Sequence, residues 1–228
     1  MQTRMTWDKL TLWQYQQMMP ILTDPNKDWT KLDQEVKLLC IITGLTEHQL
    51  DSLDLVTLKE LRSELDFLNE EIKGKPVDFI IVNGKKYRCV YEIKYMPAAR
   101  YIESKVFSKK TLENLHKIAA SMVIPQKKNW LGKWVDDIYD ASKHEMYAMD
   151  MQEANYVHVY HSLVFFYQVY RNWIEVSQDY MVKEMMEAGM KMEEAKQIVN
   201  LLCQSMDGTT PAILLPHKKI LELRKSLK

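Results

Sequence analysis

No run of 18 or more apolar residues occurs in this 228-residue chain, so no segment has the composition of a membrane-spanning helix. The closest approach, Tyr156 to Tyr170, is interrupted by His158, His161, Ser162 and Gln168. The first residues, MQTRMTWDKL, lack the apolar stretch of a secretory signal. An excess of one charge is also missing: 31 Lys and Arg face 31 Asp and Glu, so no net field draws the chain to nucleic acid or a membrane. Cys40, Cys89 and Cys203 are too scattered for a disulfide framework or a zinc site, which implies reduced thiols and a soluble protein made in a reducing cytoplasm. Glycine and proline are scarce, at six and seven, against fifteen Met, twelve Tyr and six Trp. That balance favours long helices, short connections and broad packing or contact surfaces.

One stretch departs from helical periodicity. In Val77 to Ile93, two β-rich runs, VDFIIV and KKYRCVYEI, flank Asn83-Gly84, a dipeptide that takes the positive φ angles of a type I′ turn, and Phe79, Ile81, Tyr87, Cys89, Tyr91 and Ile93 fall into alternating sets that make at least one face apolar. A β-hairpin is expected there, leaning on the rest of the chain because a lone hairpin is marginal in water. The remainder reads as helix. Segments 6–22, 28–43, 46–53 and 54–73 carry apolar residues at spacings of three and four, with Thr6 as a cap, Pro20 as a stop and Gly44 as a terminator. Further helices are expected from Pro97 through Phe107 and from Leu112 to Met122, ending at Pro125, with the loop Gln126 to Lys133 after them. Scarcely a helix breaker lies between Trp134 and Gly189, so one helix is expected over about 148–188, then another over 193–206.

The expected fold is therefore mainly α with a small β-hairpin (α+β), a helical bundle with one very long C-terminal helix. Its parts are an N-terminal helical layer (1–75), the hairpin (76–96), the bundle (97–208) and an extended basic tail (209–228). Charge is unevenly spread over this frame. Glu47, Asp51, Asp54, Glu60, Glu64, Asp66, Glu70 and Glu71 face Lys59 and Arg62, whereas Arg100, Lys105, Lys109, Lys110, Lys117, Lys127, Lys128 and Lys133 face Glu103 and Glu113. An acidic and a basic region on one chain suit head-to-tail contact between copies in a ring. The basic region holds Trp130, with Trp134 just beyond it. A loop of this kind is the place for an assembly contact and, less directly, for stacking on single-stranded nucleic acid. Any contact with DNA is expected to be weak, because the chain has no net charge.

Catalytic patterns are thin. His158 and His161 share a helix face, and Glu113-x-x-His116 gives a single copy of a motif that a di-iron carboxylate bundle needs twice, with two further Glu. Asp136, Asp137 and Asp140 suit a helix start. Phosphate-binding glycine loops and nucleophile elbows do not occur, so no catalytic residue, metal or cofactor is assigned.

Several stretches together resemble a protein family encoded in the virion and tail gene clusters of phages infecting Bacteroidetes, the crAss-like phages among them. They are WDKLTLWQYQQM, ITGLTEHQLDSL leading into LKELRSELDFL, NGKKYRCVYEI and then RYIESKVF, ENLHKIAASMVIP, and the Phe165-Phe166 pair within SLVFFYQVY. The resemblance spans residues 6 to about 175 and carries over no active-site residues. It implies a virion protein assembled in the bacterial host cytoplasm, a ring or connector subunit of the short tail beneath the portal. Such a subunit touches copies of itself and neighbouring portal and tail proteins. The alternative it implies is a tail-assembly chaperone absent from the finished particle.

Overall fold

The computed structural model describes residues 4–23, 29–91, 110–138, 140–187 and 189–207, with side chains described in these spans except at 170–177 and 200–207. The protein is α+β: mainly helical, with a small antiparallel sheet. Helices α1 (Leu12–Thr23), α2 (Lys31–Thr43), α3 (Glu47–Asp51) and α4 (Leu55–Ser63) precede the sheet; α5 (Leu115–Ser121) lies within it in sequence; α6 (His144–Glu153), α7 (Tyr156–Glu187) and α8 (Met192–Asp207) come after it. The strands are β1 (Phe79–Val82), β2 (Lys85–Cys89), β3 (Val123–Lys128) and β4 (Trp134–Asp136), in the order β1-β2-β3-β4.

Local chemistry sets most boundaries. Thr30 and Thr46 each form a capping box at the start of α2 and α3, accepting from the backbone of Asp33 and Gln49 while those side chains reach back to the cap nitrogen. Gly44, at φ 73°, closes α2 in the left-handed region. Asn83 and Gly84 take φ of 50° and 75°, the turn that joins β1 to β2 as expected.

Five expectations fail in detail. The segment read as a helix from residue 6 opens as a 3-10 turn at Trp7–Lys9 with no side-chain cap from Thr6, and α1 begins only at Leu12. Pro20 lies inside α1, which continues to Thr23. The segment read as one helix from 54 to 73 stops at Ser63 and tightens into a 3-10 turn at Asp66–Asn69, which keeps Phe67 and Leu68 buried. The chain read as a helix ending at Pro125 and then a loop is instead α5 and the β3–β4 hairpin. Pro125 has no N–H to give and stands opposite Tyr87, where β3 changes partner from β2 to β4; its carbonyl accepts from Asp137 N at 2.8 Å.

The single helix expected over 148–188 is likewise two. Ala154 is extended (φ −70°, ψ 152°), and the backbone of this junction pairs with the N-terminal segment through Leu12 N to Ala154 O (2.9 Å) and Tyr156 N to Leu10 O (2.8 Å). Asn155 Oδ1 then accepts from His158 N at 3.1 Å, so an asparagine cap starts α7. The expected helix around 97–107 falls largely outside the described residues, and the tail 209–228 wholly so.

One hydrophobic core links these parts. Trp7, Tyr15, Phe67, Ile80, Tyr87, Ile118, Val123, Tyr147 and Tyr156 are all buried in it. Tyr15 stacks on Tyr156 with ring centroids 3.9 Å apart, and burial pushes the Tyr15 phenol up to about 12. Among the described residues no helix is long and apolar enough to cross a membrane.

Candidate interaction surface

One face of the sheet lies on the core, and no other described segment packs on the opposite face. Ile80, Val82, Tyr87, Cys89 and Val123 point inward, where Ile80, Cys89 and Val123 meet Ala119, Met122, Val159, Ser162 and Leu163 around a cavity of about 10 Å³, too small for more than a water molecule. Because strand side chains alternate, the register puts Phe79, Ile81, Lys86, Arg88, Ile124, Gln126, Lys128, Trp134 and Asp136 on the outer face.

That face is an aromatic and cationic ladder. Lys86 Nζ lies 3.8 Å from the Phe79 ring centroid and 5.7 Å from that of Trp134, and Lys128 Nζ lies 5.3 Å from Trp134. Arg88 grips Asp136 in a fork, Nε to Oδ1 at 2.9 Å and Nη2 to Oδ2 at 2.6 Å, and the carboxylate in turn holds the guanidinium in its charged form. Gln126 also donates to Asp136. These pairs fix the side chains, while Ile81 stays 68% exposed on the edge strand β1.

The β3–β4 turn is as tightly built. Asn129 N donates to Lys133 O at 2.8 Å and Gly132 N to Asn129 O at 2.9 Å. The Asn129 side-chain oxygen accepts from Leu131 N (3.0 Å) and Lys133 N (2.9 Å), with Gly132 at φ 74°. This turn presents Trp130 at 91% exposure and Leu131 at 59%. An indole held out on a rigid turn loses little freedom on docking, and Trp is a characteristic anchor of protein contacts.

On the opposite side in charge, α2 and α3 border a groove of about 420 Å³ lined by Trp29, Leu32, Asp33, Val36, Lys37, Glu47 and Asp51. Lys37 Nζ pairs with Glu47 at 2.9 Å and lies 5.2 Å from the Trp29 ring centroid, which ties the two helices together across the groove.

The acidic residues singled out from sequence do different jobs. Glu47 and Asp51 line the groove. Asp54 caps α4, accepting from Val56 N and Thr57 N at 2.9 Å each, and these bonds, led by that from Thr57, lower its carboxyl pKa. Glu60 is exposed on α4, and Glu64 accepts from Met5 N. Among the basic set, Lys110 pairs with Glu113 (3.1 Å) and Lys127 with Asp137 (2.6 Å), whereas Lys128, Lys133, Trp130 and Trp134 gather at the end of the sheet. Arg100, Lys105 and Lys109 lie outside the described residues. Asp136 and Asp137 stand at the end of β4 rather than at a helix start, and Asp140 caps the 3-10 turn Ala141–Lys143.

Sequence reasoning missed Phe79, Ile81, Lys86 and Arg88 as surface residues, although their alternation within the hairpin was the available signal. It also missed Trp29 and Leu32, which only the packing of α2 on α3 brings to a groove.

Three histidines, His116, His144 and His161, pack into the fold. Ser121 Oγ lies 3.1 Å from His144 Nε2, but both are buried and the hydroxyl donates to Lys117 O at 3.0 Å. His116 accepts from Gln16 Nε2 at 3.1 Å. His161 lies against Gly74, while His158 is exposed. Among the described residues no group of three or more His, Cys, Asp or Glu is placed to hold a metal ion. No protein-family model matches the chain, and comparison with known proteins and with solved structures returns no match.

Proposed function

We propose that the protein acts by association, as a structural ring or connector subunit of a short phage tail beneath the portal. Support comes from the resemblance of its motifs to virion and tail gene-cluster proteins of Bacteroidetes-infecting phages. The observation that carries the reading is the rigid β3–β4 turn with Trp130 almost fully exposed, continuous with the Phe79, Ile81 and Trp134 face. A contiguous exposed apolar patch, unlike scattered single residues, marks a surface for interaction with another molecule. Among the described residues, the cavity against the inner face of the sheet has room for no more than a water molecule, and Ser121 and His144 are both buried.

Quantitative mass spectrometry of purified particles tests the assignment. A ring subunit is present there in fixed stoichiometry with the portal protein. Absence from particles, together with presence in infected cells, removes the ring reading and leaves the tail-assembly chaperone.

A further inference from the structure

We propose that the Trp130–Leu131 turn of one copy docks into the groove between α2 and α3 of a second copy. The inference rests on the association reading above and names the two surfaces that meet. Size is the first argument. At about 420 Å³ the groove falls in the range of about 300–1,000 Å³ that takes drug-sized ligands, so it holds an indole with room for part of the neighbouring leucine. Polarity is the second. The lining is mostly polar, from Asp33, Lys37, Glu47 and Asp51, and its apolar part is Leu32, 54% exposed, with Val36 and Trp29, so the apolar tip of the turn would meet that part alone.

Charge is the third argument. The rim carries Asp33, Glu47 and Asp51 against Lys37 alone, and the turn is flanked by Lys128 and Lys133, whereas Lys127 is already paired with Asp137. Opposite signs at the rim and like chemistry at the centre are how specific interfaces are arranged. Both sides are preformed, the turn by the Asn129 bonds and the groove by the Thr30 capping box and the Lys37–Glu47 pair.

Turn and groove are different surfaces of the chain, so the contact is heterologous. Copies joined this way link head to tail, and they close into a ring where the rotation between neighbours allows it. Within one molecule the turn leaves the groove unfilled, since Trp130 is 91% exposed.

Sedimentation velocity on the full chain tests this with two variants, Trp130→Ala, which removes the tip, and Leu32→Arg, which puts a cation on the groove wall. Both positions are exposed, and unchanged thermal melts establish that the variants fold. Wild type is expected to associate with rising concentration, and each variant alone to associate at least about thirtyfold more weakly, the loss of a single anchor residue. The mixture is decisive. Leu32→Arg still offers a turn and Trp130→Ala still offers a groove, so together they form a one-to-one complex and nothing larger. Variants that associate like wild type, or a mixture that stays monomeric, overturn the docking and leave the tail assignment standing. A wild type that is monomeric at every concentration also overturns it, and the tail assignment is then decided separately by particle composition.

Discussion

Gly74 is the residue where the fold is least forgiving. A β-carbon there would stand 2.6 Å from His161 Cδ2 and 2.8 Å from Val157 Cγ1, both on α7. The glycine is needed for close approach, which lets the chain entering the sheet lie directly on the helix. Gly74→Ala is expected to cost about 1–3 kcal/mol, as overpacking does, read as a lower urea midpoint. Adding His161→Ala should recover part of the loss, with the Val157 contact retaining the rest. The same histidine couples the fold to pH. Burial lowers the pKa of His161 below its ordinary 6.5, with the charge of His158 adding to it, and burial, then Lys117, does so for His116. In each case the unfolded chain takes up the proton first as pH falls. Stability is therefore complete above pH 6.5 and declines as pH drops toward the lowered folded values. Asp33, Asp54, Asp137 and Asp140 have pKa values lowered from 3.8 and do not titrate in this window. Urea midpoints measured at about pH 7.5 and about pH 5 should differ, and His116→Gln with His161→Gln should flatten the difference.

At the scale of the element, the junction between α6 and α7 shows how a break hides in a helical pattern. Ala154 and Asn155 do not read as breakers, and the apolar spacing on either side is continuous. The interruption has a remote cause: the backbone of Leu10 and Leu12 pairs with the junction, and Asn155 caps α7 while donating to Asp8 O. Asn155→Ala removes both side-chain bonds and is expected to cost about 1–2 kcal/mol, measured by urea unfolding. A neutral result would mean that the backbone pairing alone sets the break. The same contrast separates the two hairpins. Asn83-Gly84 and the alternation around it declare β1–β2 locally, and the Thr30 box and Gly44 bound α2 in the same way. By contrast, β3 is specified by pairing with β2, a non-local contact, and its Pro125 and lysines imitate a loop. The candidate surface was accordingly half legible: Trp130, Trp134, Lys128 and Lys133 are prominent in the sequence, but their place beside Phe79, Ile81 and Lys86 depends on the register.

Considered whole, the described residues divide their apolar side chains between a core and two surface features that no other described segment covers, the outer sheet face with its turn and the α2–α3 groove. Neutral net charge is compatible with strong local fields: acids gather at the groove rim and cations on the sheet. If copies associate as proposed, this arrangement separates folding from association energetically. Phe79 and Ile81 stand on the outer face, Ile81 68% exposed and Phe79 37% exposed beneath Lys86, so Phe79→Ser with Ile81→Ser should lower stability by no more than about 1–2 kcal/mol in total, read as the urea midpoint. If the sheet face borders the docked turn, the same pair should weaken self-association by about tenfold in sedimentation equilibrium. A large fall in the urea midpoint instead would mean that these side chains support the sheet. Unaltered association would confine the contact to the Trp130 turn. Salt adds an independent check, because exposed opposite charges are screened beyond roughly 10 Å at about 0.1 M ionic strength. Association should therefore weaken as salt rises but persist in part, through the indole and its apolar seat.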